Sequence, residues 1–194
     1  MNGMTWVEAE KRYVQQGKWG LTYYVEKNQK PTGTAAKAIK EYIDAFERLP
    51  PLLGKNVLRV DFLTSATWVR TCNPGKTAHM AAAGWPHAVG KRSPIYINYG
   101  KTAVNGFYTQ RLTVAAHEAG HALDEPTEPH RYSSSGEWKS ITKEFGRKIY
   151  SINNGYGAPI EVFAGAVARY VGNNLKSISN KAYQYIDDIV KGRR

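Results

Sequence analysis

The chain has 194 residues, a formal net charge of +11 and 42% hydrophobic residues, enough for one domain with a core, and no Gly/Ser linker, low-complexity tract or repeat divides it. Its single cysteine, Cys72, excludes an intrachain disulfide and any zinc finger built on several cysteines. No stretch is apolar enough to cross a membrane, and the first eight residues lack the basic start and apolar run of a signal peptide, so neither a span nor a signal is expected in this chain.

Residues 1–30 are polar, aromatic and punctuated by glycine, and read as an N-terminal extension to a domain over 31–194. Thr34 to Leu49 is expected as an amphipathic helix: Ala35, Ala38, Ile39, Tyr42, Ile43 and Phe46 recur at helical spacing, and Pro50-Pro51 stop it. Val57 to Leu63 reads as a strand, with Leu58, Val60 and Phe62 alternating with Arg59 and Asp61. Ala78 to Ala83 is a candidate short strand broken by Gly84-Trp85-Pro86, and Pro94 to Asn98 is a further strand. Tyr108 to Leu123 is expected as a helix on an apolar background of Val114, Ala115, Ala119, Ala122 and Leu123. Its internal Gly120 costs ~1 kcal/mol of helix propensity against alanine and points to close packing on that side. Glu125-Pro126 ends that run.

Further helices are expected over Glu137 to Ile149, Pro159 to Tyr170 and Ala182 to Val190, with a loop at Asn153-Asn154-Gly155-Tyr156-Gly157 and a frayed end at Lys191-Gly192-Arg193-Arg194. Strands come early and helices dominate later, the pattern of an α+β domain with a small mixed sheet.

The 108–123 helix carries His117-Glu118-Ala119-Gly120-His121. Residues i and i+4 lie about one turn apart on one helix face, so two imidazoles there can grip one metal ion, and a Glu next to the first can reach a water bound to it. A catalytic zinc usually keeps three protein ligands and an open position. Downstream candidates for the third are Asp124, Glu125, Glu128, His130, Glu137, Glu144 and Glu161. Asp124 lies further along the helix axis and is preferred as an acceptor behind the ligands or a helix-end residue. Glu161 is the one charge in the run from Pro159 to Ala168. A carboxylate there is costly if buried unless it is paired or metal-bound. It also stands in a first helical turn, where the dipole favours an anion and simple exposure would explain it equally.

Three segments resemble the anthrax lethal factor-like family of zinc metalloproteases, which includes the Pro-Pro endopeptidases. They are His117 to Asp124; Tyr156-Gly157 followed by Glu161-Val162-Phe163-Ala164-Gly165-Ala166; and Asn180 to Ile189. The likeness spans roughly residues 90–190, plausibly from 35. It implies a zincin-like metalloprotease domain in which the helix bearing Glu161 packs on the motif helix, giving Zn2+ held by His117, His121 and Glu161. It implies Glu118 as general base and Tyr156, in the loop before Glu161, as stabiliser of the oxyanion. The family often has a second Glu four residues after the ligand Glu; here that position is Gly165.

The implied activity is zinc-dependent endopeptidase, with a peptide or protein as substrate. The bound water would be acidified by the metal, and Glu118 would take its proton and pass it to the leaving nitrogen. In zincins an edge strand takes up the substrate as an added strand; Ala78–Ala83 is the candidate, Ile95–Asn98 the strand beside it, and Trp85 and His87 either line a subsite or pack a turn.

Two other readings stand beside this one. A DNA-associated metalloprotease in the manner of the SprT-like proteins would use the basic charge for targeting. However, no Lys/Arg block or nucleic-acid motif is present, and a solvated surface is the preferred reading of the charge. An inactive zincin-shaped binding module would have no need of Glu118.

Overall fold

The computed structural model describes residues 7–9, 12–26, 32–72, 81–83, 93–99, 110–124, 131–152, 155–156 and 158–194, of which 7–9, 12–13, 69–72, 81–83, 151–152 and 155–156 are described by backbone only. The fold is α+β. A six-stranded mixed sheet is built from β1 (Val7–Ala9), β2 (Arg12–Gln16), β3 (Thr22–Glu26), β4 (Val57–Leu63), β5 (Ala81–Ala83) and β6 (Ser93–Asn98). Its order is β1-β2-β3-β4-β6-β5. The first three strands are antiparallel, β3, β4 and β6 run parallel, and β5 returns antiparallel at the end of the sheet.

The segment read as an N-terminal extension thus adds three strands to the sheet beside β4. In β3, Tyr23 and Val25 point into the core while Thr22, Tyr24 and Glu26 are half-buried, the period-two signature of a strand with one face inward.

Helix α1 (Gly33–Phe46) buries Ile39, Tyr42, Ile43 and Phe46 of the face read from the spacing, with Ala45 beside them, while Ala35 and Ala38 are only half-buried. The helix ends at Phe46, three residues short of the expected Leu49, and Pro51 opens a short second helix, α2 (Pro51–Asn56), because a proline at the first helical position loses no hydrogen bond. A second unanticipated helix, α3 (Ser65–Cys72), follows β4.

Strand β4 departs from simple alternation. The ladder to β6 shifts register between Val57 and Arg59, which turns Leu58 outward, 42% exposed, and leaves Val57, Val60 and Phe62 buried. Asp61 is buried as well, held by Arg59 Nε at 2.7 Å.

The remaining helices are α4 (Arg111–Leu123), α5 (Gly136–Ile149), α6 (Pro159–Val171), α7 (Leu175–Ile178) and α8 (Asn180–Val190), with a two-residue ladder of β7 (Ser151–Ile152) and β8 (Gly155–Tyr156) where a plain loop was expected. Side-chain oxygens of Ser135 and Ser179 accept the backbone N–H groups of Trp138 and Ala182, capping α5 and α8. No helix among the described residues is long and apolar enough to cross a membrane.

The chain end is tied down rather than frayed. Asp187 accepts from Tyr170 Oη at 2.7 Å and pairs with Lys191 and Arg193, and Arg194 pairs with Glu137 at 2.7 Å. Hydrogen bonds from Lys191 and Tyr170 hold the Asp187 carboxyl down to about 2.

Helix α4 is the centre of the molecule. It packs against α1 and α2, against the sheet, and most extensively against α6. The approach to α6 is closest at Gly120, where an added Cβ would lie 3.0 Å from the Ala164 Cα and 3.2 Å from the Val167 Cβ. That is the packing partner the glycine pointed to. Gly120→Val is expected to force the two helices apart at a cost of about 1–3 kcal/mol, read as a melting temperature lower by several degrees; an unchanged melting temperature would show that this contact is not tight.

Candidate metal centre

The two motif histidines sit on the inner part of α4, both on the face turned toward α6. Ten of the helix's residues are buried, His117 and Glu118 among them. The opposing donor comes from the first turn of α6. Trp138, fully buried on α5, donates its indole N–H to the Pro159 carbonyl at 2.9 Å, fixing that helix two residues before Glu161. Phe163 is locked in the same place, stacked on Tyr132 and edge-on to Trp138.

These anchors bring His117, His121 and Glu161 together, the one group of three metal-binding side chains found among the described residues. The two Nε2 atoms are 3.2 Å apart. Bonds of 2.0–2.1 Å to a tetrahedral ion would set two donors roughly 3.3–3.4 Å apart, so the imidazole pair already has the right spacing. The Glu161 carboxylate straddles it, with Oε2 3.4 Å from His117 Nε2 and Oε1 3.5 Å from His121 Nε2. Taking one ligand atom from each residue, the three lie within 4.8 Å of one another. The group can therefore hold a metal ion: two neutral nitrogens and one anionic oxygen are the borderline donor set that suits a divalent transition metal.

The electrostatics point the same way. Burial pushes the Glu161 carboxyl up, but hydrogen bonds and charge from His117 and His121 outweigh it and hold the group well below the usual carboxylate range. At His121, burial favours the neutral ring, while the hydrogen bond to Glu161 and the charges of Glu118, Glu161 and Asp124 overcome it and raise the pKa.

Glu118 is 6% exposed and is not one of the converging donors. Its charge is felt at His121 and at Tyr150, which places it beside the cluster.

Asp124 is not a ligand but a helix-end residue. It closes α4, fully buried, and its Oδ1 accepts the backbone N–H groups of Tyr132 at 2.7 Å and Ser133 at 2.8 Å. Glu137 is engaged by Arg194, and Glu144 is exposed on α5. Glu125, Glu128 and His130 lie outside the described residues, as do Trp85 and His87. Tyr156 is placed in β8, just before α6, but its side chain is outside the description.

One residue at the site escaped the sequence reading. Tyr150, the residue that closes α5, stacks on the His117 ring at 5.3 Å between centroids and 22° between planes. Its hydroxyl reaches the Glu161 carboxylate; burial and then the charges of Glu161 and Glu118 push its pKa up, so it stays a donor. The one signal for it was Gly165, a missing side chain one turn after Glu161.

In comparison with known proteins, no family model and no curated protein matches the chain.

Glu161→Ala should weaken zinc binding by more than about 100-fold, the upper range for merely supporting residues. Metal content left unchanged in elemental analysis after gel filtration would remove Glu161 from the centre.

Proposed function

We propose that this chain is a zinc-dependent endopeptidase with a zincin-like catalytic domain. The observation that carries the reading is the convergence of both His-Glu-x-x-His imidazoles with the carboxylate of Glu161, beside a buried Glu118 that is not itself a donor. A site that only held metal for stability would close its fourth position with another side chain; no fourth His, Cys, Asp or Glu joins the cluster among the described residues. The resemblance to the lethal factor-like family, carried by residues 117–124, 156–166 and 180–189, supports the same chemistry.

Zinc bound here supplies a Lewis acid that makes a coordinated water a usable nucleophile near neutral pH. His117, His121 and Glu161 would hold that ion. Glu118 accepts the proton of the attacking water and returns it to the leaving nitrogen. Tyr156 is the donor that the resemblance assigns to the developing oxyanion.

The substrate enters as an extra strand on β5, which ends the sheet antiparallel to β6. The alanines at 81, 82 and 83 would let a peptide backbone come close.

Profiling a peptide library with and without chelator tests the reading: cleavage that the chelator stops and zinc restores is expected, and no cleavage of any peptide by the zinc-loaded protein would refute it. Glu118→Ala should keep its zinc and lose roughly 10²–10⁴-fold in turnover; full activity in that variant would remove Glu118 as the base.

A further inference from the structure

Tyr150 and Gly165 form a matched pair at the back of the metal centre. Gly165 lies four residues after Glu161 on the same face of α6. A Cβ added at Gly165 would lie 2.8 Å from Tyr150 Cβ, 2.9 Å from its Cδ2 and 3.1 Å from its Cγ. These are the atoms of Tyr150 nearest its backbone, not a flexible far end, so the ring could not yield without moving the end of α5.

That end is itself fixed. The Tyr150 N–H donates to the Gly146 carbonyl, and Arg169 of α6 donates through Nε to the Ile149 carbonyl at 2.5 Å. The ring is thus laid across α6 in the space a side chain at 165 would fill. From there its face covers His117 and its hydroxyl reaches Glu161.

Resting on the metal-centre reading above, we propose that Tyr150 is a positioning residue for two ligands at once. Its ring sets the plane of the His117 imidazole, and its hydroxyl orients the Glu161 carboxylate; Gly165 is the vacancy that admits it. A ligand His usually gains its orientation from a carboxylate or carbonyl on its other nitrogen, and a ligand carboxylate from a hydrogen-bond donor. Here one aromatic side chain joins a ligand on α4 to a ligand on α6. It stands beside the cluster, against His117 and Glu161.

The test uses Tyr150→Phe, Tyr150→Leu and Gly165→Ala in the full chain. The readouts are zinc affinity by competition with a chromogenic chelator, the visible absorption spectrum of the Co2+-substituted protein, and the melting temperature of the metal-free protein. Tyr150→Phe keeps the stack and loses the hydroxyl. It is expected to weaken zinc binding about tenfold and to shift the Co2+ bands, with the metal-free melting temperature unmoved. Tyr150→Leu and Gly165→Ala disturb the ring as well and are expected to approach 100-fold.

Wild-type affinity and an unaltered Co2+ spectrum in Tyr150→Phe would overturn the positioning role while leaving the metal centre standing. A wild-type chain that binds neither zinc nor cobalt would overturn the metal centre, and this inference with it. Should Tyr150→Leu fail to fold, the isosteric Tyr150→Phe still decides.

Discussion

The contact between α4 and α6 is the constraint on which the rest depends. Gly120 precedes His121 by one residue, and Ala164 follows Glu161 by three, so the point where the two backbones nearly touch lies next to all the donors. Helices packed through ordinary side chains keep their axes 8–10 Å apart; a Gly-on-Ala contact lets them come nearer. The ~1 kcal/mol that a glycine costs inside a helix is offset here by the approach it permits. Trp138 and Phe163 then fix the register along the seam from the α5 side. The convergence of His117, His121 and Glu161 follows from backbone packing and does not depend on long side chains searching for one another.

Around that seam the molecule concentrates buried charge. Glu118 and Asp124 on α4 are buried, and Glu161 is half-buried, all within one part of the fold. Burial alone would neutralise such acids. Asp124 is held by two backbone N–H groups and Glu161 by two imidazoles, each a specific partner in place of lost hydration. Glu118 sits beside the donors without joining them, close enough for its charge to be felt at His121 and Tyr150. This division of roles among carboxylates of one type comes from where each helix turn places them.

Much of this was legible in the sequence, and the reasons for the rest are physical. Helices α1, α4, α5, α6 and α8 show a strong 3.6-residue repeat of apolar side chains, and each lies near its expected span. Glu161 was legible as a lone charge among apolar neighbours. Strand β3 carries a clear inward alternation of Tyr23 and Val25, but Thr22-Tyr23-Tyr24-Val25 stands among glycines and polar residues that suggested an extension. The outward turn of Leu58 could not be read, because a register shift belongs to the pairing of two strands and not to one. Pro50-Pro51 was read only as a stop, although the second proline also starts α2. Of the partners of the last four residues, Asp187 and Asp188 stand within two helical turns and were open to reading, whereas Glu137 is identified only once α8 is folded back on α5. Tyr150 shows the same limit: nothing in its neighbourhood along the chain marks it, and its partners lie 33 residues before it and 11 after.

The seam has a consequence for how the centre can vary. Because a Cβ added at Gly120 would lie only 3.0 Å from the Ala164 Cα, the two backbones are already close and leave α6 little room to move inward to meet a shorter ligand. An aspartate in place of Glu161 would fall short by about 1.5 Å, one carbon–carbon bond, with no slack in either helix to make up the gap. The reach of the third donor is therefore dictated by a residue that has no side chain, and the chemistry of the centre and the steric profile of one helix interface can change only together.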